Sequence, residues 1–383
     1  DLQHAYAAVE TQWHGQGASL ACLSVRSGFD LALSALALRP GDEVLVSALT
    51  IPHMAALVAA HGGVAIPVDL DPRTMAPTVA ALRRNVSPRT RAVLIAHLFG
   101  GRIDIGAAAD MADERGIALI EDCAQVFDGG EFRGNARASV SLFSFGSIKT
   151  ATALGGALAV VRDAGLLAER RRLRDAQPVV SEATYLRKVL KYEGIRAMTN
   201  PYVFGAAVAA LRTAGVDVDE TLNALTRSFR GTDLLSAIRQ QPSAAMMVQL
   251  RRRICSNVKP YCDARRRNGA ALSRRLPGSL MHLGSEAQAH CHWLFPVVAK
   301  HPAQLIARLA AAGFDATQGG DTLSVVQPPA QRFDTAATTM AALMPQVVYL
   351  PVLPTLTGAD LERLVSALHH YDQALQHDEE QPS

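Results

Sequence analysis

An aspartate and a lysine, Asp122 and Lys149, carry the most chemistry in this sequence. The stretch 120–156 reads IEDCAQVFDGGEFRGNARASVSLFSFGSIKTATALGG. Asp122 closes an apolar run beginning at Ile117, and Lys149 follows a second short run over 139–145. A lysine on a loop at the ligand edge of a sheet can serve as a Schiff-base nucleophile, and that chemistry needs a carboxylate at the far end of the cofactor. Pyridoxal 5'-phosphate fits such a pair, because its ring nitrogen must stay protonated to draw electrons away and a nearby aspartate favours the charged form. Its phosphate needs small residues, hydroxyls and backbone N–H groups, which Ser144, Gly146 and Ser147 supply. Spacing alone leaves ordinary surface roles open for both residues.

Strand ends must hold these groups, and the sequence predicts the strands. Residues 1–38 read as helical, and Arg39-Pro40-Gly41-Asp42 then forces a turn. Strands follow at 43–47, 64–68, 91–97 and 117–121, with helices between them at 52–61, 76–84 and 105–115. That alternation predicts an α/β fold with a mostly parallel, doubly wound sheet flanked by helices. Acid and lysine then sit at the carboxyl edge, where ligands of such sheets collect. No strand is followed by GxGxxG and no GxxxxGK[ST] occurs, so dinucleotide and P-loop readings lose their fingerprints.

Beyond about residue 163 the pattern changes to long helical segments: 168–175 is very basic, 185–198 alternates basic with apolar residues, and 202–211 is wholly apolar. The stretch 185–211 suits either a membrane surface or subunit packing. A helix over 244–262 is expected to continue to 276. The last hundred residues read as strand (292–299), helix (303–312), short strand (322–326), strand (347–351) and helix (358–371). These patterns predict a large cofactor-binding domain at 1–250, with an atypical helical segment at about 165–240. A smaller α+β domain at 251–383 would include the connecting helix.

Totals narrow the classes further. A chain of 383 residues with 49% hydrophobic content can bury a large core. Lys+Arg of 38 against Asp+Glu of 35 leaves only +3, which gives no bulk electrostatic reason to bind nucleic acid. The triplets at 170–172, 251–253 and 265–267 read as solvated helix faces. Five cysteines without a CxxC pair argue against a disulfide framework and for a reducing, cytoplasmic setting. No charged-then-apolar leader follows Asp1, and no apolar run is long enough to predict a membrane span.

Gly41-Asp42-Glu43-Val44, Val68-Asp69-Leu70-Asp71, Ala96-His97-Leu98-Phe99-Gly100, Glu121-Asp122-Cys123-Ala124-Gln125 and Ser144-Phe145 followed by Lys149 occur in this order. With Tyr349-Leu350-Pro351-Val352 near the end, the series resembles the DegT/DnrJ family of sugar aminotransferases, fold-type I pyridoxal phosphate enzymes. The resemblance covers most of the chain, leaving out about 165–240. It implies that Lys149 takes the cofactor as a Schiff base and shuttles a proton, and that Asp122 pairs with the pyridinium nitrogen. Ala124 would contact the cofactor, Gln125 would approach the ring hydroxyl and Ser144 would bind phosphate. His97 falls at the family's motif histidine, as a structural hydrogen-bond partner or a substrate contact.

Three walls depart from the family. Where it has Gly-Thr before the first long helix, this sequence has Val25-Arg26 followed by Ser27-Gly28, so Arg26 or Ser27 is expected at the phosphate. The ring-stacking aromatic is absent, and Thr50 is followed by Ile51-Pro52-His53, leaving Ile51 or His53 to face the ring. The Asn/Arg pattern that a neighbouring subunit brings to the phosphate is not recognisable; Arg227, Arg230 and Arg239 are substitutes by type.

The resemblance implies transfer of an amino group from an amino acid, glutamate or another, to a keto group on a nucleotide-linked sugar or cyclitol, in a homodimer. A lyase or dehydratase on the same scaffold is the alternative enzyme; the family's dehydratases carry histidine at the lysine position, so Lys149 favours transamination. The departures also allow a degenerate binding protein. His290-Cys291-His292 could place two metal ligands on one strand face, but no third ligand cluster accompanies them in the sequence, and structural packing is the simpler reading. Cys123 lacks a His/Asn partner and reads as a packing thiol.

Overall fold

The computed structural model describes residues 1–13, 18–198, 200, 205, 210, 213, 233–319 and 323–380. Its centre is a seven-stranded sheet of order β1-β9-β8-β7-β5-β2-β4. The strands are β1 (Ala18–Cys22), β2 (Glu43–Ser47), β4 (Val64–Val68), β5 (Thr90–Ala96), β7 (Ala118–Asp122), β8 (Val140–Ser144) and β9 (Ala157–Val161). From β4 through β8 all neighbours are parallel, whereas β9 and β1 join antiparallel.

Alternation explains the burial. Along β2, Leu45 enters one core cluster with Ile66, Val93 and Ile95, while Val44 and Val46 enter another with Leu94, Ile120 and Phe29. Side chains of a strand point alternately to opposite faces, so a run buried throughout must be apolar on both, as these are. The intervening helices are α2 (Val25–Leu36), α3 (Pro52–Ala60), α4 (Val79–Asn85) and α5 (Gly106–Arg115).

Residues 1–38 are not one helical region: α1 (Leu2–Gln12) is followed by β1 and then α2. The sequence of β1, ASLAC, has no β-branched residue, and its pairing with β9, itself unforeseen, makes it a strand. The helix expected over 244–276 is two helices, Ala244–Cys255 and Lys259–Ser273, the second with Pro260 in its first turn. Proline cannot supply the interior N–H a continuous helix needs, but it suits a helix start.

A three-stranded sheet of β10 (Met281–His282), β12 (Pro296–Val298) and β14 (Val347–Tyr349) packs with helices Pro302–Ala311 and Gly358–Glu380 around Phe295, Leu305, Leu309, Leu364 and Tyr371. Two short ribbons tie this part to the large sheet. They pair β11 (Ala289–His290) with β6 (Gly101–Arg102), and β13 (Ser324–Val325) with β3 (Leu49–Thr50).

After β9 come α6 (Ala164–Asp175) and α7 (Glu182–Met198). Tyr185 of α7 is buried and donates to the Ala153 carbonyl (2.8 Å), while Leu186 and Leu190 are exposed. The apolar run at 202–211 lies largely outside the described residues. Among the described residues no helix is long and apolar enough to cross a membrane.

Candidate active site

Strand β7 runs between β5 and β8, with Asp122 opposite Ala96 on one side and Leu142 on the other. The strand ends there because Asp122 turns its carboxylate onto the next loop, where Oδ1 accepts the Ala124 N–H (2.9 Å). Burial pushes the Asp122 carboxyl above its ordinary value; that N–H and the charges of Lys149, His97 and Arg26 oppose the rise.

Lys149 stands on the turn after β8, where its own N–H donates to the Gly146 carbonyl (3.0 Å) and Ala153 folds back onto the Phe145 carbonyl (3.0 Å). Burial lowers the amine to about 8, against the pull of Asp122 and with the help of Arg26. Its Nζ lies 4.0 Å from the centre of the Trp293 ring, and the indole N–H donates to the Ile148 carbonyl (3.3 Å). Ala124, Gln125, Phe127, Ser144, Lys149, Thr150 and Trp293 line one narrow cleft. Trp293 enters from the far C-terminal part of the chain, and nothing local in the sequence signals it.

Other expected residues divide into two groups. Ser144 lines the lysine's cleft and Gln125 does too, its Oε1 accepting the Phe99 N–H (2.6 Å). Arg26, in the first turn of α2, donates from Nε to His53 Nδ1 (3.1 Å), and both Arg26 and Lys149 act electrostatically on Asp122. Burial and Arg26 keep His53 below its ordinary value, hence neutral. Ile51, at the start of α3, packs against the cluster of Val44 and Phe29.

Ser27 corrects the expectation. Its hydroxyl donates to the Ile238 carbonyl (2.8 Å) and its side chain is buried, so it is spent inside the protein and is not offered to a phosphate. Arg239 is likewise committed, to Asp30 (2.9 Å). Arg227 and Arg230 lie outside the described residues. His97 is 2% exposed; its Nε2 donates to Glu121 (3.0 Å) and its Nδ1 accepts the Ile103 N–H (3.2 Å). Of its two expected roles, the geometry has the structural one.

The donor set suits pyridoxal phosphate. An amine held near 8 and a carboxylate with a raised pKa act on each other electrostatically, small and hydroxyl residues line the space, and the carboxylate accepts its hydrogen bond from the backbone N–H of Ala124. A cationic ring nitrogen would answer that carboxylate.

A profile of the DegT/DnrJ/EryC1/StrS aminotransferase family matches residues 3–369. The chain belongs to this family. Its members are pyridoxal phosphate-dependent sugar and cyclitol aminotransferases. The chain is 36% identical over 183 residues to the UDP-N-acetyl-3-dehydro-alpha-D-glucosamine 3-aminotransferase of Acidithiobacillus ferrooxidans, a match covering 47% of each chain. It is 32% identical over 176 residues to the L-glutamine:2-deoxy-scyllo-inosose aminotransferase of Micromonospora echinospora, covering 45% of this chain and 42% of that one. These matches span under half of either relative. The fold extends further: NtdA of Bacillus subtilis, crystallised with bound cofactor PMP, superposes with a TM-score of 0.65 at 20% identity, over 96% of this chain and 76% of that one.

Proposed function

We propose that this chain is a pyridoxal phosphate-dependent aminotransferase that moves an amino group from an amino acid, glutamate first, to a keto group of a nucleotide-linked sugar or a cyclitol. The observation that carries it is Lys149 and Asp122 acting on each other at the same sheet edge, with the lysine lowered to about 8. The related UDP-sugar and cyclitol enzymes supply the substrate class.

When bound, the cofactor supplies an electron sink that stabilises negative charge on the substrate carbon. Asp122 would keep the ring nitrogen's proton in place. Lys149, lowered to about 8, is neutral in appreciable fraction near pH 8 and would take up and return the proton at Nζ. Trp293 covers that nitrogen and keeps water from it. Ser144 and Arg26 would hold the phosphate and Ala124 and Gln125 would lie by the ring, with His53 orienting Arg26 through its Nδ1.

Exposed Ile148, next to Lys149, and exposed Leu186 and Leu190 on α7 support a homodimer that covers this edge. The proposed domains are 1–250 and 251–383. Addition of pyridoxal phosphate to the purified chain should give a visible absorbance band, and glutamate should then be converted to 2-oxoglutarate in step with amination of a keto sugar. Absence of the band, or turnover that yields the corresponding 2-oxo acid from no amino donor, overturns the reading.

A further inference from the structure

Where β10 and β11 meet the helix Lys259–Ser273, three imidazoles converge. One nitrogen from each of His282, His290 and His292 lies within 4.8 Å of the others. His282 and His292 are each 5% exposed. Each ring keeps a buried nitrogen with no hydrogen-bond partner among the described residues: Nε2 of His282, Nε2 of His290 and Nδ1 of His292. Buried polar atoms are nearly always paired, so three orphans in one place call for a shared ligand.

We propose that His282, His290 and His292 bind one transition-metal dication of the zinc, cobalt or nickel class. Imidazole nitrogens suit these ions, whereas magnesium and calcium demand oxygens. Burial of the rings favours the neutral imidazole, the form that coordinates. Three protein nitrogens leave a fourth position for water.

Surrounding groups hold the rings in place. Ser273 Oγ lies 3.1 Å from His282 Nδ1 and can accept its proton, leaving the Nε2 lone pair facing the cluster. Phe295 stacks on His282 at 4.0 Å. Gly269 makes room for His292, since a Cβ there would lie 2.3 Å from that ring. His292 itself takes a left-handed backbone (φ 47°), a conformation a non-glycine residue keeps only when its surroundings hold it there.

Two features work against binding and shape it. The guanidinium groups of Arg265 and Arg266 face His292, although Arg266 is offset by Asp128 (2.7 Å) and Asp263 (2.5 Å). His290 Nδ1 accepts the His292 N–H (2.9 Å), which puts that ring's proton on Nε2. Coordination by His290 through Nε2 therefore requires the other tautomer, with the proton moved to Nδ1 and the bond from the His292 N–H given up. The ion would pin the turn that carries Trp293 onto Lys149, since His292 and Trp293 are consecutive.

The test uses the untagged full chain, with and without pyridoxal phosphate, stripped by chelator and given Zn²⁺ or Co²⁺. The expected result is about one metal retained per chain after gel filtration, with the visible bands of low-coordinate Co²⁺. His282→Ala and His292→Ala should each abolish retention, and His369→Ala, on the exposed last helix, should not. Ser273→Ala should weaken affinity about tenfold. No retained metal in the unmodified chain, or retention unchanged in both histidine variants, overturns the site and indicates a buried water bridging the rings. Loss of the pyridoxal phosphate band with metal retention intact would count against the active-site reading alone.

Discussion

Glu121 and Asp122 are neighbours on one strand, yet the fold treats them in opposite ways. Glu121 is fully buried and closed on protein partners: His97 Nε2 (3.0 Å), the Ser141 hydroxyl and the Asn135 N–H (2.7 Å). Burial alone would raise its carboxyl, but these partners more than reverse that, and it sits below its ordinary value. Asp122 points to the other face, receives the Ala124 N–H, and sits above its ordinary value. A satisfied buried acid holds the strands together. An undersatisfied one beside a depressed lysine is a group waiting for a cation, which is the physical difference between scaffold and site.

The sharpest way to break this contrast is at the lysine. Lys149→Met should lower transamination by about 10²–10⁴-fold and remove cofactor retention on the washed protein, read by absorbance and single-turnover assay. The same change should make the cofactor-free chain more stable at pH 7. A lysine whose folded pKa of about 8 lies below its ordinary 10.5 loses stability as pH falls from the higher value to the lower, and methionine removes that loss. In the unmodified chain, capture of pyridoxal phosphate should rise with pH through about 8. A rise centred near 10.5 would mean the amine is not desolvated.

Asp122→Asn and Glu121→Gln then separate the two acids. The first should cost about 100-fold in turnover with no fall in melting temperature. The second should cost about 3 kcal/mol of folding stability, because it strips the charge His97 and Ser141 are arranged around, while the folded fraction keeps its cofactor band. Because the folded Glu121 pKa is depressed, its contribution is complete above the unfolded value and lost as pH falls through the folded one. Glu121→Gln should therefore flatten the acid limb of the stability curve; if Asp122→Asn does so instead, the contrast is reversed.

What the sequence made legible follows from how local each signal is. Asp122 and Lys149 lie in one short stretch with fixed separation, and β2, β4, β5 and β7 announce themselves as apolar runs. By contrast β1 is a strand because β9 pairs with it, and no residue of ASLAC favours that state strongly. Trp293 and His282 reach their neighbours through tertiary folding, so the tryptophan above the lysine and the third histidine of the cluster left no trace in spacing. The pair His290 and His292 was visible as a pattern, but its partner came from another strand.

Ser27 shows the same limit at one atom, and supplies the smallest test. Its type and place, near the start of α2, are what a phosphate-binding hydroxyl would have, and sequence reasoning cannot see where the hydroxyl points. In the fold it ties α2 to the short helix Leu234–Ile238 by donating to the Ile238 carbonyl. Ser27→Ala should then cost about 1 kcal/mol of stability, the net worth of one buried hydrogen bond, and leave pyridoxal phosphate affinity unchanged. Ser144→Ala, in the lysine's cleft, should do the reverse, weakening cofactor binding with little effect on melting. Cofactor affinity that falls with Ser27→Ala and stays put with Ser144→Ala would move the phosphate to the start of α2, and the division between scaffold hydroxyl and site hydroxyl would have to be redrawn.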